Sequence, residues 1–154
     1  MGMDVYGLEP KITGEHPEMP DFSDLSKEER QEYFNAVEKF ERSNPGYYFR
    51  SNIWWWRALW MYVCDLCEDV LSQEDIDGGH VNEGYEITKD KAAVMEERMA
   101  GAIEINAHHM YERDYMAALD ELPKDDIRSS YPFAAEVVED FYQFVKHSGG
   151  FKIC

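Results

Sequence analysis

The sequence predicts one compact, mainly α domain of four to five helices, with a small β-sheet formed by the two chain termini. Three observations carry this expectation. Apolar residues recur at three- and four-residue steps through the middle of the chain, as they do on the buried face of a helix. The first seven residues, MGMDVYG, and the last six, GGFKIC, alternate apolar and polar side chains as strands do. At 154 residues, 44% of them hydrophobic, the chain can bury about two-thirds of its unfolded surface around a single core, so stability demands no metal or cofactor.

Met3 and Val5 alternate with Asp4 and Tyr6 in the first strand, which Gly7 and Pro10 end. Residues 11–24 contain Gly14, Pro17 and Pro20 and read as an irregular connector. Ser26 followed by Glu29 is a capping box, in which hydroxyl and carboxylate satisfy each other's backbone amides. It opens a helix through about Arg42 with Tyr33, Phe34, Val37 and Phe40 on its apolar face. Asn44, Pro45 and Gly46 make a turn, and Tyr47, Tyr48 and Phe49 lead into the central stretch, residues 51–72. That stretch holds all four tryptophans and two of the three cysteines. Trp56, Leu59, Trp60, Val63, Cys67 and Val70 form one stripe, and Ser51 or Asn52 can cap its start. Trp54 and Trp55 cannot both share the stripe. One of them is left for a second core surface or for a partner, since exposed Trp and Arg make interface hot spots.

After Ser72 comes an acidic loop, QEDIDGGHVNEGYEI. Thr88 can cap the next helix, whose apolar positions are Ala92, Met95, Met99, Ala102 and Ile103. A further segment from Tyr111 to Leu122 either continues that helix or follows a bend near His108 and His109, and Pro123 stops it. The last helix runs from about Phe133 to His147, and Ser148, Gly149 and Gly150 end it. No internal repeat, low-complexity tract or interdomain linker interrupts the chain.

The charge is lopsided. Fifteen Lys and Arg stand against 32 Asp and Glu, for a net charge of −17 and a pI near 4.5. Such a chain repels nucleic acid and anionic membranes and favours basic protein surfaces or cations. No run approaches the roughly 18 apolar residues of a membrane span, because Arg57 interrupts the best candidate and Asp65 ends it. The N-terminus lacks the basic and apolar regions of a signal peptide, and Tyr6 stands where a myristoylation site needs Ser or Thr. Three cysteines argue for a reducing compartment, so the cytoplasm is the expected location.

Four constellations could carry chemistry. Cys64 and Cys67 form a CxxC, and His80 follows with twelve residues between, which matches three positions of a zinc-finger-like spacing. The fourth ligand is missing and would have to be His147 or Cys154. Both cysteines fall in a helical pattern, so buried structural thiols are the plainer reading. Asp75, Asp77 and Glu86 occupy places 1, 3 and 12 of an EF-hand loop, but Gly79 and His80 at places 5 and 6 disagree with it. His108 and His109 lie at helical distance from Glu104, Glu112 and Asp114, a pattern that suits a general base or plain helical charge pairing equally. Finally, residues 58–88 carry eight acids and no Lys or Arg: Asp65, Glu68, Asp69, Glu74, Asp75, Asp77, Glu83 and Glu86. Carboxylates at helical steps lie about 5–6 Å apart, near the spacing of phosphates along a strand, so such a surface can occupy a nucleic-acid groove on another protein.

Five segments resemble a family of small uncharacterised proteins encoded by phages and bacteria: MGMDVYG, YYFRSNIWWWRALW, GGHVNEG, YPF and KHSGGFKIC. The resemblance covers about a third of the positions over the whole length and implies no activity. The segment from His16 to Pro45 is longer here than that pattern implies. A phage or mobile-element origin would favour an inhibitor of a host nucleic-acid-binding or defence complex, acting in the host cytoplasm. The leading expectation is therefore a non-enzymatic acidic protein without a cofactor. It would bind the basic surface of another protein through the eight acids with Trp54 and Trp55. One alternative is a zinc-binding or hydrolytic domain built on Cys64, Cys67, His80 and His108. Another is a homo-oligomer joined through its spare Trp and Tyr side chains.

Overall fold

The computed structural model describes residues 2–154. Among them are six α-helices and one four-stranded antiparallel sheet. In chain order the elements are β1 (Gly2–Gly7), α1 (Lys27–Ser43), β2 (Tyr48–Asn52), α2 (Ile53–Leu66), α3 (Gln73–Gly78), β3 (Tyr85–Ile87), α4 (Lys89–Glu104), α5 (Ala107–Asp120), α6 (Ala135–Ser148) and β4 (Phe151–Ile153). A 3₁₀ turn at Ile127–Ser130 precedes α6.

The two termini pair as their alternation requires, with Val5 opposite Ile153 and Gly7 opposite Phe151. Two further strands flank them, in the order β2-β1-β4-β3. The stretch before the central helix is one of these, pairing Val5 with Phe49 and Met3 with Ser51. The end of the acidic loop is the other, pairing Ile87 with Phe151. One sheet face is apolar and sealed: Met3, Val5, Ile87, Phe151 and Ile153 are all buried.

Against this face packs α2, capped by Asn52, whose side chain accepts from the amides of Trp54 and Trp55. Trp56, Leu59, Trp60 and Val63 are fully buried. The Trp56 and Trp60 indoles stack at 5.5 Å with planes 10° apart, and Phe141 of α6 meets Trp56 edge-on at 5.6 Å. Each such indole removes roughly 150–250 Å² from water. At 25 cal/mol per Å², that is worth about 4–6 kcal/mol before chain entropy is counted.

One boundary and one buried face differ from the sequence expectation, and one open alternative is decided. The central helix stops at Leu66 instead of Ser72, because Ser72 and Asp75 form a capping box that starts α3 inside the acidic loop. Of the two courses the sequence left open after α4, the chain takes the bend: α5 is a separate helix, because Asn106 takes a left-handed conformation (φ 56°), which Asn tolerates better than most residues. The helix α1 opens with the expected capping box at Ser26 and Glu29, but buries only Phe40. Its other aromatic residues gather with Phe22 in a cluster of their own, Phe34 remaining 54% exposed. The connector before α1 is fastened by the buried Asn44, which exchanges hydrogen bonds with the Thr13 backbone and donates to the Phe40 carbonyl.

Gly79 is where α3 touches the core: a Cβ there would collide with the Trp60 indole. Gly79→Ala should cost about 1–3 kcal/mol through overpacking. Gly101→Ala, at a helical position with nothing within 4 Å, should leave stability unchanged or raise it by about 0.5–1 kcal/mol. Urea unfolding of the two variants measures the contrast.

Candidate functional site

The acidic stretch acquires its shape from α2. The indole N–H of Trp56 donates to the Gly79 carbonyl at 2.7 Å, and that of Trp60 donates to the Ile76 carbonyl at 3.0 Å. These two bonds hold α3 and the following turn against the core. The eight acids of residues 58–88 are thereby sorted into different roles.

Asp75 is buried at 1% exposure and belongs to the scaffold. Its carboxylate accepts from Lys91 Nζ at 2.6 and 2.8 Å, from the Ser72 amide at 2.7 Å and from the Tyr85 hydroxyl at 3.0 Å. Burial pushes the Asp75 carboxyl up, but the hydrogen bonds from Lys91, Ser72 and Tyr85 together outweigh it and hold the carboxyl below its ordinary value. The expectation that Asp75 contacts a partner is therefore corrected: its oxygens are already occupied inside the protein. Asp69 pairs with Arg98 at 2.5 Å, and Glu86 faces Lys152 at 3.8 Å. Asp65, Glu68, Glu74, Asp77 and Glu83 are exposed and have no ion-pair partner among the described residues. Burial, then the neighbouring Glu68 charge, raises the Asp65 carboxyl.

The exposed side of α2 carries Trp54, Met61 and Asp65, which share one helical face at steps of seven and four residues. Trp54 is 43% exposed and Met61 47%. Trp54 stacks on Tyr131 at 5.6 Å, with planes 29° apart, and the Arg57 guanidinium lies over the same tyrosine ring at 5.8 Å. Tyr131 also walls an open apolar cavity of about 310 Å³ together with Met61, Tyr115, Leu119, Leu122 and Arg128. Trp55 is half-buried, so of the two spare tryptophans Trp54 presents the larger free face. Tyr131 and the α5 side of the cavity were not singled out from sequence. A Tyr-Pro-Phe ahead of a helix gives no sign of which distant tryptophan it will meet.

The zinc-finger-like set does not assemble: Cys64, Cys67 and His80 form no ligand cluster among the described residues. Both cysteines are buried, Cys67 at the C-cap of α2. Burial pushes each thiol up to about 12, so both are protonated at neutral pH. Burial, then the Arg57 charge, lowers the pKa of His80, whose Nδ1 is buried without a partner. The EF-hand spacing fails as well, because its first third is the helix α3.

The histidine pair acquires a partner that helical spacing did not supply. His108, 1% exposed, meets Glu139 of α6 at 2.8 Å through Nε2. His109 lies 3.6 Å from the same carboxylate and 3.8 Å from Glu112, while Asp114 pairs with its neighbour Arg113. No family model, curated protein or solved structure matches the chain. None of the helices is long and apolar enough to cross a membrane, among the described residues.

Asp75→Asn should destabilise the fold by about 2–4 kcal/mol at neutral pH, somewhat below the usual figure for breaking a buried pair because Lys91 is a third exposed. Since the folded-state pKa of Asp75 is lowered, its stabilisation is complete above the ordinary value of 3.8 and is lost as pH falls through the lower folded value. Urea titrations at pH 7 and on acidification should show the gap between wild type and variant closing at low pH.

Proposed function

We propose that this chain is a non-enzymatic protein-binding protein that docks on the basic surface of another protein. Its unpaired carboxylates occupy that surface as the phosphates of a nucleic acid would. The observation that carries the reading is the exposed face of α2, where Trp54, Met61 and Asp65 stand in line beside the apolar cavity and the unpaired acids follow from the helix end. Trp, Tyr and Arg are the residues most often found at the energetic centre of protein interfaces. Here Trp54, Tyr131 and Arg57 are stacked together at the surface, so little side-chain entropy remains to be lost on binding.

The charge supports the same reading. A net charge of −17 steers a cationic partner and raises the rate of encounter. Replacing that partner's counterions gives affinity that weakens steeply with salt. Asp65, whose carboxyl is raised by its surroundings and by Glu68, would be relieved by an incoming Lys or Arg. The apolar cavity would take a Leu- or Phe-like anchor from the partner.

The experiment is affinity capture with the immobilised protein, eluted across a salt gradient and repeated with duplex DNA as competitor. Basic nucleic-acid-binding proteins should be retained at low salt, released by moderate salt and displaced by DNA. A triple variant, Glu68→Gln, Glu74→Gln and Asp77→Asn, should lose most of this retention, and Trp54→Ala should reduce it by at least tenfold while keeping the fold and lowering stability by about 0.5–1.5 kcal/mol, the worth of its stack on Tyr131. Retention that ignores salt, DNA and all four substitutions would contradict the reading.

A further inference from the structure

The two adjacent histidines at the start of α5 form a compact donor set with α6. One nitrogen of His108, one of His109 and one oxygen of Glu139 all lie within 4.8 Å of one another, the one such trio of His, Cys, Asp or Glu among the described residues. We propose that His108, His109 and Glu139 bind a divalent transition metal of the zinc class, with the fourth coordination position left to water. Imidazole and carboxylate are the borderline and hard donors that zinc accepts, and three protein ligands with one open position is a known zinc arrangement.

The geometry is close to what such an ion requires. Bonds of about 2.0–2.2 Å in a tetrahedron place neighbouring ligand atoms about 3.3–3.6 Å apart. The His109 Nε2 to Glu139 Oε1 separation is 3.6 Å, so that pair can accept an ion almost without moving. His108 Nε2 stands 2.8 Å from the same oxygen, and a small rotation of Glu139, whose side chain is 46% exposed, opens the gap. Exchanging that hydrogen bond for metal bonds moves the His108 ring proton from Nε2 to Nδ1 and frees the Nε2 lone pair for the ion.

Two independent features organise the set. His109 turns Nδ1 toward Glu112 at 3.8 Å while Nε2 faces Glu139. That separation is too long for a hydrogen bond, but the nearby carboxylate favours the ring proton on Nδ1, which leaves the Nε2 lone pair aimed at the site. Glu112 is itself anchored, accepting from the Ala135 amide at the start of α6 at 3.3 Å. His108 is the second feature: its Nδ1 is buried without a partner, so Nε2 is the nitrogen through which the ring meets another group. The backbone supports the arrangement. Asn106, the one non-glycine residue with positive φ among those described, turns the chain so that both imidazoles sit in the first turn of α5, with ring centroids 4.3 Å apart.

The test uses the full chain, stripped with chelator and titrated with zinc by calorimetry and by native mass spectrometry. One zinc per chain is expected. His109→Ala and Glu139→Gln, both at partly exposed positions, should each weaken binding at least tenfold while keeping the wild-type circular dichroism; His109→Ala should also keep the urea midpoint, whereas Glu139→Gln lowers it because it weakens the bond to the buried His108. Replacement of zinc by cobalt(II) should give a visible spectrum without thiolate-to-cobalt charge transfer, which separates this site from any involving Cys64, Cys67 or Cys154. Absence of one-to-one binding, equal binding by wild type and both variants, or a thiolate band would each overturn the proposal and leave the trio a hydrogen-bonded clamp between α5 and α6.

Discussion

The structure depends on two hydrogen bonds from stacked indoles. Trp56 and Trp60 are the largest side chains in the core, and each is apolar except for one N–H that must find an acceptor once buried. Both find it in the same place, the Ile76 and Gly79 carbonyls at the end of α3. The core thereby holds a segment that has little apolar surface of its own. Helix α3 is only six residues long and strongly acidic. An isolated helix of that length is unstable in water, so tertiary bonds must supply what propensity cannot.

That arrangement explains how a charge of one sign can be both scaffold and surface. Asp75 is drawn inward, where Lys91, Ser72 and Tyr85 compensate its burial. The carboxylates next to it in sequence, Glu74 and Asp77, stay in water without cationic partners. The same helix end that binds α3 continues, on its opposite side, into the Trp54, Met61 and Asp65 face. Core and recognition surface are thus two sides of α2, and the apolar cavity against α5 lies beside the latter. The histidine and glutamate trio sits elsewhere, between α5 and α6, and requires nothing from the acidic face.

Much of the fold was legible in the sequence because local rules agree with the tertiary outcome. The three- and four-residue spacing of Trp56, Leu59, Trp60 and Val63 gives the buried stripe, and Ser26 with Glu29 gives the start of α1. The alternation at the two ends gives the β1–β4 pair. The misses have physical causes. Ser72 and Asp75 are as much a capping box as Ser26 and Glu29, but without an apolar stripe behind them they read as loop. Strands β2 and β3 were missed because each runs almost directly into a helix, so their residues read as the lead-in to α2 and the end of the acidic loop before α4. The candidate sites were the least legible. Glu139 lies 31 residues from His108, and Tyr131 lies 77 residues from Trp54, so only packing brings either pair together. Charge counting also treated eight acids alike, although burial and a lysine sixteen residues away set Asp75 apart.

The most direct measurement is amide hydrogen exchange on the Trp60→Phe variant. This change keeps an aromatic ring in the core and removes the N–H that binds Ile76. Leaving that carbonyl unpaired costs about 1–3 kcal/mol, which should open α3 locally. Exchange at the amides of residues 75–79 should rise by at least tenfold, with protection in α4 and α6 retained. If those amides keep wild-type protection, the indole bonds do not hold α3, and the acidic face owes its shape to the Asp75 and Lys91 pair instead.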